Sequence, residues 1–339
     1  MFGTLRTLLA INVVLLHIFN VYGVGNYAVS AFFLLSGFLM TFVMQESYQF
    51  SKRGFVTFWL NRMLRLYPIY WVVLLLTLIG LVFLDTIPRH PDLFMPDTLL
   101  GWFSNLTMLY PKIVPHNFEP RLVPPSWALT NELLFYFLIS IGISKTKLRT
   151  MLWLLLSVGY FGATYLFYDI PTYRYSAVFA SSLPFALGAS LYWFKNQFPT
   201  LKSPLLPLAL YVAFMCNALY GHQFLSSVKE ISIYLNYILS AALIVTLFKM
   251  IASRKVKKWD TYIGHYSYPI YLVHFLAAMV YTAWIGVGVK EGTFKLNLEA
   301  MLPYGLLLVG CCFILVHLVD IPVSRIKSKM KRKRLDSAQ

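Results

Sequence analysis

Charge is what this sequence has least of. Only 12% of its 339 residues are charged, against 58% apolar, and the mean hydropathy is +0.65. Soluble domains carry roughly a quarter charged residues, and a chain this poor in charge lacks the polar surface to cover a core in water. Acidic residues are the scarcer sign: 13 Asp and Glu stand against 29 Lys and Arg, a formal net charge of +16. Cysteine is confined to Cys216, Cys311 and Cys312, two of them adjacent and all in apolar runs, a pattern with neither a disulfide framework nor metal-ligand spacing. No internal repeat and no low-complexity segment interrupts the chain.

What is present is a series of apolar runs, each about 18 to 20 residues long, the length a helix needs to cross a bilayer. They fall at about 5–23, 27–45, 67–84, 127–143, 150–168, 174–194, 205–221, 231–251, 266–287 and 300–319. The sequence therefore predicts an all-α polytopic membrane bundle of about ten transmembrane helices. The long connection 85–126 is rich in proline and aromatics, and its Leu99–Tyr110 stretch reads as a short interfacial helix. Val29-Ser30-Ala31 resembles a signal cleavage site, but a second apolar run follows at once and Arg6 alone precedes the first, so the first run is read as retained. Residues 1–322 form one transmembrane domain in this reading, and 323–339 a basic cytoplasmic tail.

The basic residues sit in short patches between runs, a distribution that fixes orientation in a membrane and argues against nucleic acid as partner. With the N-terminus inside, alternate segments hold Arg6; Lys52, Arg53, Arg62, Arg65; Lys145, Lys147, Arg149; Lys195, Lys202; Lys249, Arg254, Lys255, Lys257, Lys258; and Arg325, Lys327, Lys329, Lys331, Arg332, Lys333, Arg334. The other segments hold only Arg89, Lys112, Arg121, Arg174, Lys229, Lys290 and Lys295. That asymmetry places both termini in the cytoplasm, with Lys329–Arg334 as an anchor on anionic lipid.

Ionisable groups within spans are costly and mark candidate sites. His17 lies in the first run, eleven residues after Arg6, hence on the same helix face and roughly 16 Å along it. Glu132 lies near the outer end of the fourth run, so it is expected at the depth of His17. Arg62 and Arg65, three apart, share a helix face at the inner surface, where two guanidiniums can clamp a phosphate. Each has a plainer reading. His17 fits as a neutral histidine bonded between helices, His274 as a packed polar residue, Glu132 as a partner for backbone groups, and the arginines as topology anchors.

The same residues fall in segments that resemble the membrane acyltransferase-3 family. Arg6, ten residues and His17 match its opening signature, and Phe32-Phe33-Leu34-Leu35-Ser36-Gly37-Phe38-Leu39 its second-helix motif. Arg62-Met63-Leu64-Arg65-Leu66-Tyr67-Pro68 is similar to its Arg-x-x-Arg motif, and Ser126-Trp127 through Glu132 to Phe135-Tyr136 to its Trp-Ser-Leu-x-x-Glu-x-x-Phe-Tyr segment. Ser267-Tyr268-Pro269-Ile270-Tyr271-Leu272-Val273-His274 and Asp320-Ile321-Pro322 complete the order. The sequence departs from the pattern at Ser30, Ala128 and Asp320, and it resembles the minimal form without a fused hydrolase-like domain.

The resemblance implies transfer of an acyl group, usually acetyl, from cytoplasmic acyl-CoA to a hydroxyl of an envelope glycan or lipid-linked sugar, in the bacterial inner membrane. Acetyl-CoA or another acyl-CoA is then a co-substrate, and no bound cofactor or metal is implied. It implies His17 as the base or transient acyl carrier, with Glu132 orienting the site. Arg6, Arg62 and Arg65 would hold donor phosphates, and Ser36, Tyr136 and His274 would support. Composition alone also suits a transporter or flippase, although the sequence lacks the paired interrupted helices of that class.

Overall fold

The computed structural model describes residues 1–167, 170–224 and 230–327. Lys229 and the Lys329–Arg334 anchor lie outside the described residues, as does nearly all of the expected tail. The described chain is helical: α1 (Gly3–Phe19), α2 (Val24–Val43), α3 (Lys52–Phe83), α4 (Leu99–Thr107), α5 (Trp127–Ser140), α6 (Lys147–Phe167), α7 (Pro171–Tyr175), α8 (Ser182–Phe194), α9 (Leu205–Phe224), α10 (Ile231–Lys249), α11 (Arg254–Trp284) and α12 (Met301–Leu315). Pairing between extended segments is limited, among the described residues, to two isolated bridges, Leu201 with Met250 and Val289 with Leu296. All but α4 overlap the ten apolar runs, and α4 is the short helix expected after Leu99.

Five stretches are long and apolar enough to cross a membrane by length and composition: Val24–Tyr48, Lys52–Phe83, Lys147–Phe167, Ile231–Lys249 and Leu298–Lys327. Their outward faces carry Trp71, Leu75, Ile79 and Phe83 on α3, Leu152, Leu155 and Leu166 on α6, and Leu302, Leu306 and Phe313 on α12, all exposed. An apolar belt of that extent belongs in lipid, where each helix satisfies its own backbone. The protein is a multi-pass membrane helix bundle. α1 and α11 present much of their surface to other helices, which lets them carry Arg6, His17 and His274 without exposing them to hydrocarbon.

Two helices are longer than the runs that announced them. α3 begins at Lys52, capped by Ser51 Oγ accepting from Gly54 N at 2.9 Å, so Arg62 and Arg65 belong to the helix itself rather than to a segment before it. α11 begins at Arg254 in the same way, with Ser253 as cap. The run at 174–194 is broken instead into α7, a 3-10 turn and α8.

Neighbouring helices pack with definite directions. α1 and α11 are parallel and in constant register: Thr7 Oγ1 donates to Ile263 O at 2.8 Å, and His17 Nδ1 lies 2.9 Å from His274 Nε2. Asp260 of α11 accepts from Gly3 N at 3.0 Å and Thr4 N at 2.9 Å, capping the exposed donors of α1 from a neighbouring helix. α1 and α2 are antiparallel, with Phe2 against Phe38 and Leu16 against Gly25. α2 runs parallel to α8, from Phe33 on Phe185 to Phe42 on Tyr192.

Glycines set the closest crossings. A side chain at Gly188 would collide with the Leu34 carbonyl, and one at Gly37 with that of Phe185. Contact this close between backbones is what joins helices in lipid, where no hydrophobic drive does so. We expect Gly188→Val to cost about 1–3 kcal/mol by forcing α2 and α8 apart. A thermal melt of the purified protein in nanodiscs, unchanged by the substitution, would count against this crossing.

Candidate functional site

Five helices turn polar side chains toward one cavity with about 110 Å³ of free volume. α1 supplies Arg6, α2 supplies Ser36, α3 supplies Arg62 and Arg65, α5 supplies Glu132 and Tyr136, and α11 supplies Ser267, Tyr268 and Tyr271. On α2, α3 and α5 the lining residues recur every three or four positions, the spacing of a single helix face. Pro68 of α3 and Pro269 of α11 each withdraw one helix hydrogen bond near this level. Tyr268 OH joins the two helices there by donating to Leu66 O at 3.0 Å.

The charges do not cancel. Glu132 accepts from Ser36 Oγ at 2.7 Å and from Tyr136 OH, but no arginine lies within salt-bridge distance of it among the described residues. Arg65 stands 3.7 Å from Asp320 at the rim, and Asp320 also contacts His265. Arg62 lies over the Phe58 and Tyr136 rings at 5.8 and 5.9 Å, and its Nε is buried without a partner. Three guanidiniums therefore face one carboxylate across the cavity, with one unmatched donor. That arrangement fits a phosphate-bearing anion.

The histidines form a second cluster. His17 Nδ1 and His274 Nε2 lie 2.9 Å apart with their rings stacked, and Phe275 stacks on His17 at 5.1 Å. His274 follows Tyr271, at the end of the cavity, by one turn of α11. Over this pair sit two connections. Lys295 Nζ donates to His17 O at 2.6 Å and Leu296 N to Ile18 O at 2.9 Å, satisfying carbonyls at the open end of α1. His90 and Phe294 pack on Phe275.

Glu132 is thus not at the depth of His17. Its partner Ser36 lies on α2 level with the first turns of α1, near Arg6, whereas His17 is about 16 Å further along. The physical reason is the connection before α5. Residues 120–129 are all buried, so the chain dips into the bundle before α5 starts at Trp127. Arg121, 1% exposed, holds that dip. It pairs with Asp92 and donates to Phe118 O at 2.6 Å and Pro124 O at 3.1 Å. Tyr271 OH also donates to Pro125 O at 2.8 Å. Irregular backbone at membrane depth survives only where protein satisfies it in this way.

Of the residues expected from sequence, Arg6, Ser36, Arg62, Arg65, Glu132 and Tyr136 meet at the cavity, while His17 and His274 meet beyond it. His90 and Asp260 went unnoticed, and Arg121 and Lys295 figured only in the charge distribution, because each lies outside the apolar runs and gains significance only through contacts remote in sequence.

A family model described as an acyltransferase domain, acyltransferase-3, matches residues 2–317. The chain belongs to the acyltransferase-3 family. The matched stretch contains the cavity and both histidines. Acyltransferase MdmB of Streptomyces mycarofaciens is 30% identical over 149 residues, a match covering 41% of this chain and 34% of that protein. No solved structure matches.

The connection between α3 and α5 carries a pH dependence. Burial, with help from Arg121 and Lys295, pushes the His90 imidazole down to about 3, and burial beside Arg121 lowers His116 as well. An unfolded histidine titrates near 6.5, so below that pH the unfolded chain binds more protons than the folded one. The stabilisation is complete above about pH 6.5 and is lost progressively as pH falls toward 3. The melting temperature in nanodiscs is expected to drop between pH 7 and 5, and His90→Gln to flatten that drop; an identical slope in the variant would refute the assignment.

Proposed function

We propose that this protein transfers an acyl group, acetyl in the simplest case, from cytoplasmic acyl-CoA to a hydroxyl of an envelope glycan or lipid-linked saccharide in the bacterial inner membrane. One observation carries the reading. An arginine-lined cavity and a paired histidine share a stripe along α1 and α11, about 16 Å apart. The donor is an anion at its phosphates and neutral at its thioester, and the slender pantetheine arm separates the two by a comparable distance. In this reading Arg6, Arg62 and Arg65 take the phosphates, and the thioester lies toward His17.

Ten crossings with both termini cytoplasmic fit this arrangement. The parallel pairs α1 with α11 and α2 with α8 join runs of like number parity, and the antiparallel pair α1 with α2 joins unlike ones, as strict alternation requires. The bias of basic residues gives the sense of the alternation and sets the arginine end inside.

The chemistry follows from the residues. A hydroxyl is a weak nucleophile and needs a base to take its proton. His17 takes the acceptor proton as the oxygen attacks the thioester carbonyl. The tetrahedral intermediate collapses, the carbon–sulfur bond breaks, and the leaving thiolate takes the proton back. Glu132, level with the arginines, holds Ser36 and Tyr136 in place and balances part of the positive charge between donors. A one-step transfer of this kind needs no bound cofactor.

Membranes supplied with labelled acetyl-CoA test the reading. His17→Ala is expected to lower acyl transfer more than a hundredfold, the range general-base catalysis contributes. Arg62→Gln and Arg65→Gln should chiefly raise KM for acyl-CoA, each by about tenfold, the share of one charge-assisted contact. Mass spectrometry of envelope glycans should show one acyl mass gained only with active protein. Full acylation by the His17 variant, or glycan moved but unmodified, would rule the proposal out.

A further inference from the structure

We infer that His274 is a positioning residue that holds the single ring proton of His17 on Nδ1 and so leaves His17 Nε2 as the free base. The inference deepens the proposed function and rests on its assignment of His17. It starts from a carbonyl. His274 Nδ1 lies 3.2 Å from Ile270 O, one turn back on α11. A carbonyl oxygen only accepts, so the proton of this contact sits on His274 Nδ1.

A neutral His274 then has a bare lone pair on Nε2. That nitrogen is 2.9 Å from His17 Nδ1, which must supply the proton of the bond. Neutral His17 has one ring proton, so Nε2 is left unprotonated. The opposite order needs either two lone pairs facing each other at His274 Nδ1 and Ile270 O, or a charged His274. His274 is 0% exposed, and among the described residues no carboxylate lies within salt-bridge distance of it. A cation there would be buried without compensation. Lys295, held on the His17 carbonyl, adds a like charge that opposes it further.

The surroundings keep the pair aligned. Phe275 faces both rings, at 5.1 Å from His17 and 4.4 Å from His274. Tyr304 OH donates to His274 O at 2.9 Å and ties that turn of α11 to α12. His274 is sealed and has no route to a substrate, whereas His17 is only half-buried. The roles therefore divide: His17 meets the acceptor, and His274 orients it. When Nε2 takes the acceptor proton, the Nδ1 proton stays in place and His274 Nε2 stabilises the imidazolium. A carboxylate would do this more strongly, but it would also leave a permanent charge within an apolar span. A neutral imidazole orients its partner without that cost.

Ring-nitrogen NMR tests the assignment. The full-length protein, labelled with 15N-histidine and held in lipid nanodiscs, should show His17 protonated at Nδ1 and bare at Nε2, with its signals identified by their loss in His17→Gln. His274→Leu should release His17 to the Nε2-protonated form and lower kcat about a hundredfold with KM little changed, as expected for loss of base catalysis. His274→Gln offers an amide oxygen to His17 and an N–H to Ile270, so it should keep the Nδ1 proton and recover most of the rate. Nε2-protonated His17 in the native protein, or a His17 tautomer indifferent to His274→Leu, would overturn the inference. The two ideas fail separately: the native tautomer with full transfer by His17→Ala removes the base and leaves the proton order, while the reverse pattern removes only the role of His274.

Discussion

The parallel contact between α1 and α11 is the constraint on which the rest of the site depends. At one end Gly3 and Gly264 let the backbones touch, and a side chain on Gly264 would come within 2.7 Å of the Gly3 Cα. There Asp260 caps the first donors of α1. At the other end the same interface brings His17 onto His274. Because both helices run in one direction and in constant register, a single contact sets the level of Arg6 and the partner of His17 together. A shift of one residue between them would turn one imidazole away from the other by about 100° around its helix.

Around this pair the bundle solves a solvation problem. Lipid offers no partner to a polar group, so each buried polar side chain has to be answered by protein. Asn105 shows how completely this is done, with Nδ2 donating to Gly101 O at 2.9 Å and Pro120 O at 2.8 Å while Oδ1 accepts from Leu122 N at 2.7 Å. Arg121 does the same for the carbonyls that follow. With the dip between α4 and α5 satisfied, α5 can begin deep in the bundle, and that is what brings Glu132 level with the arginines. Among the described residues Ser104 Oγ, Asn131 Oδ1, Asn236 Nδ2, Thr282 Oγ1 and Arg62 Nε are buried without a partner, and of these Arg62 lines the cavity, as a group reserved for a ligand would.

The two clusters differ in chemistry. The arginine end is cationic and suits an anion's phosphates. The histidine end is walled by Phe275 and roofed by His90, Phe294 and Lys295. The roof comes from connections outside the apolar runs, so these surfaces can differ between relatives while the helical frame stays the same.

By itself the sequence determined the helical character, the membrane setting and the face shared by Arg6 and His17, because hydropathy and helical spacing are local properties. It also made Glu132 visible as a carboxylate within an apolar run, Arg62 and Arg65 through their three-residue spacing before one, and Tyr136 through the motif it resembles. Only the tertiary structure decided which of them meet. Glu132 joined the arginines because a buried loop lowered the start of α5, and no local pattern reports the depth of a loop. His274 became the partner of His17 because two helices distant in sequence pack in parallel. That register is set by glycine contacts and a cap supplied from another helix, interactions that exist only once the chain has closed on itself.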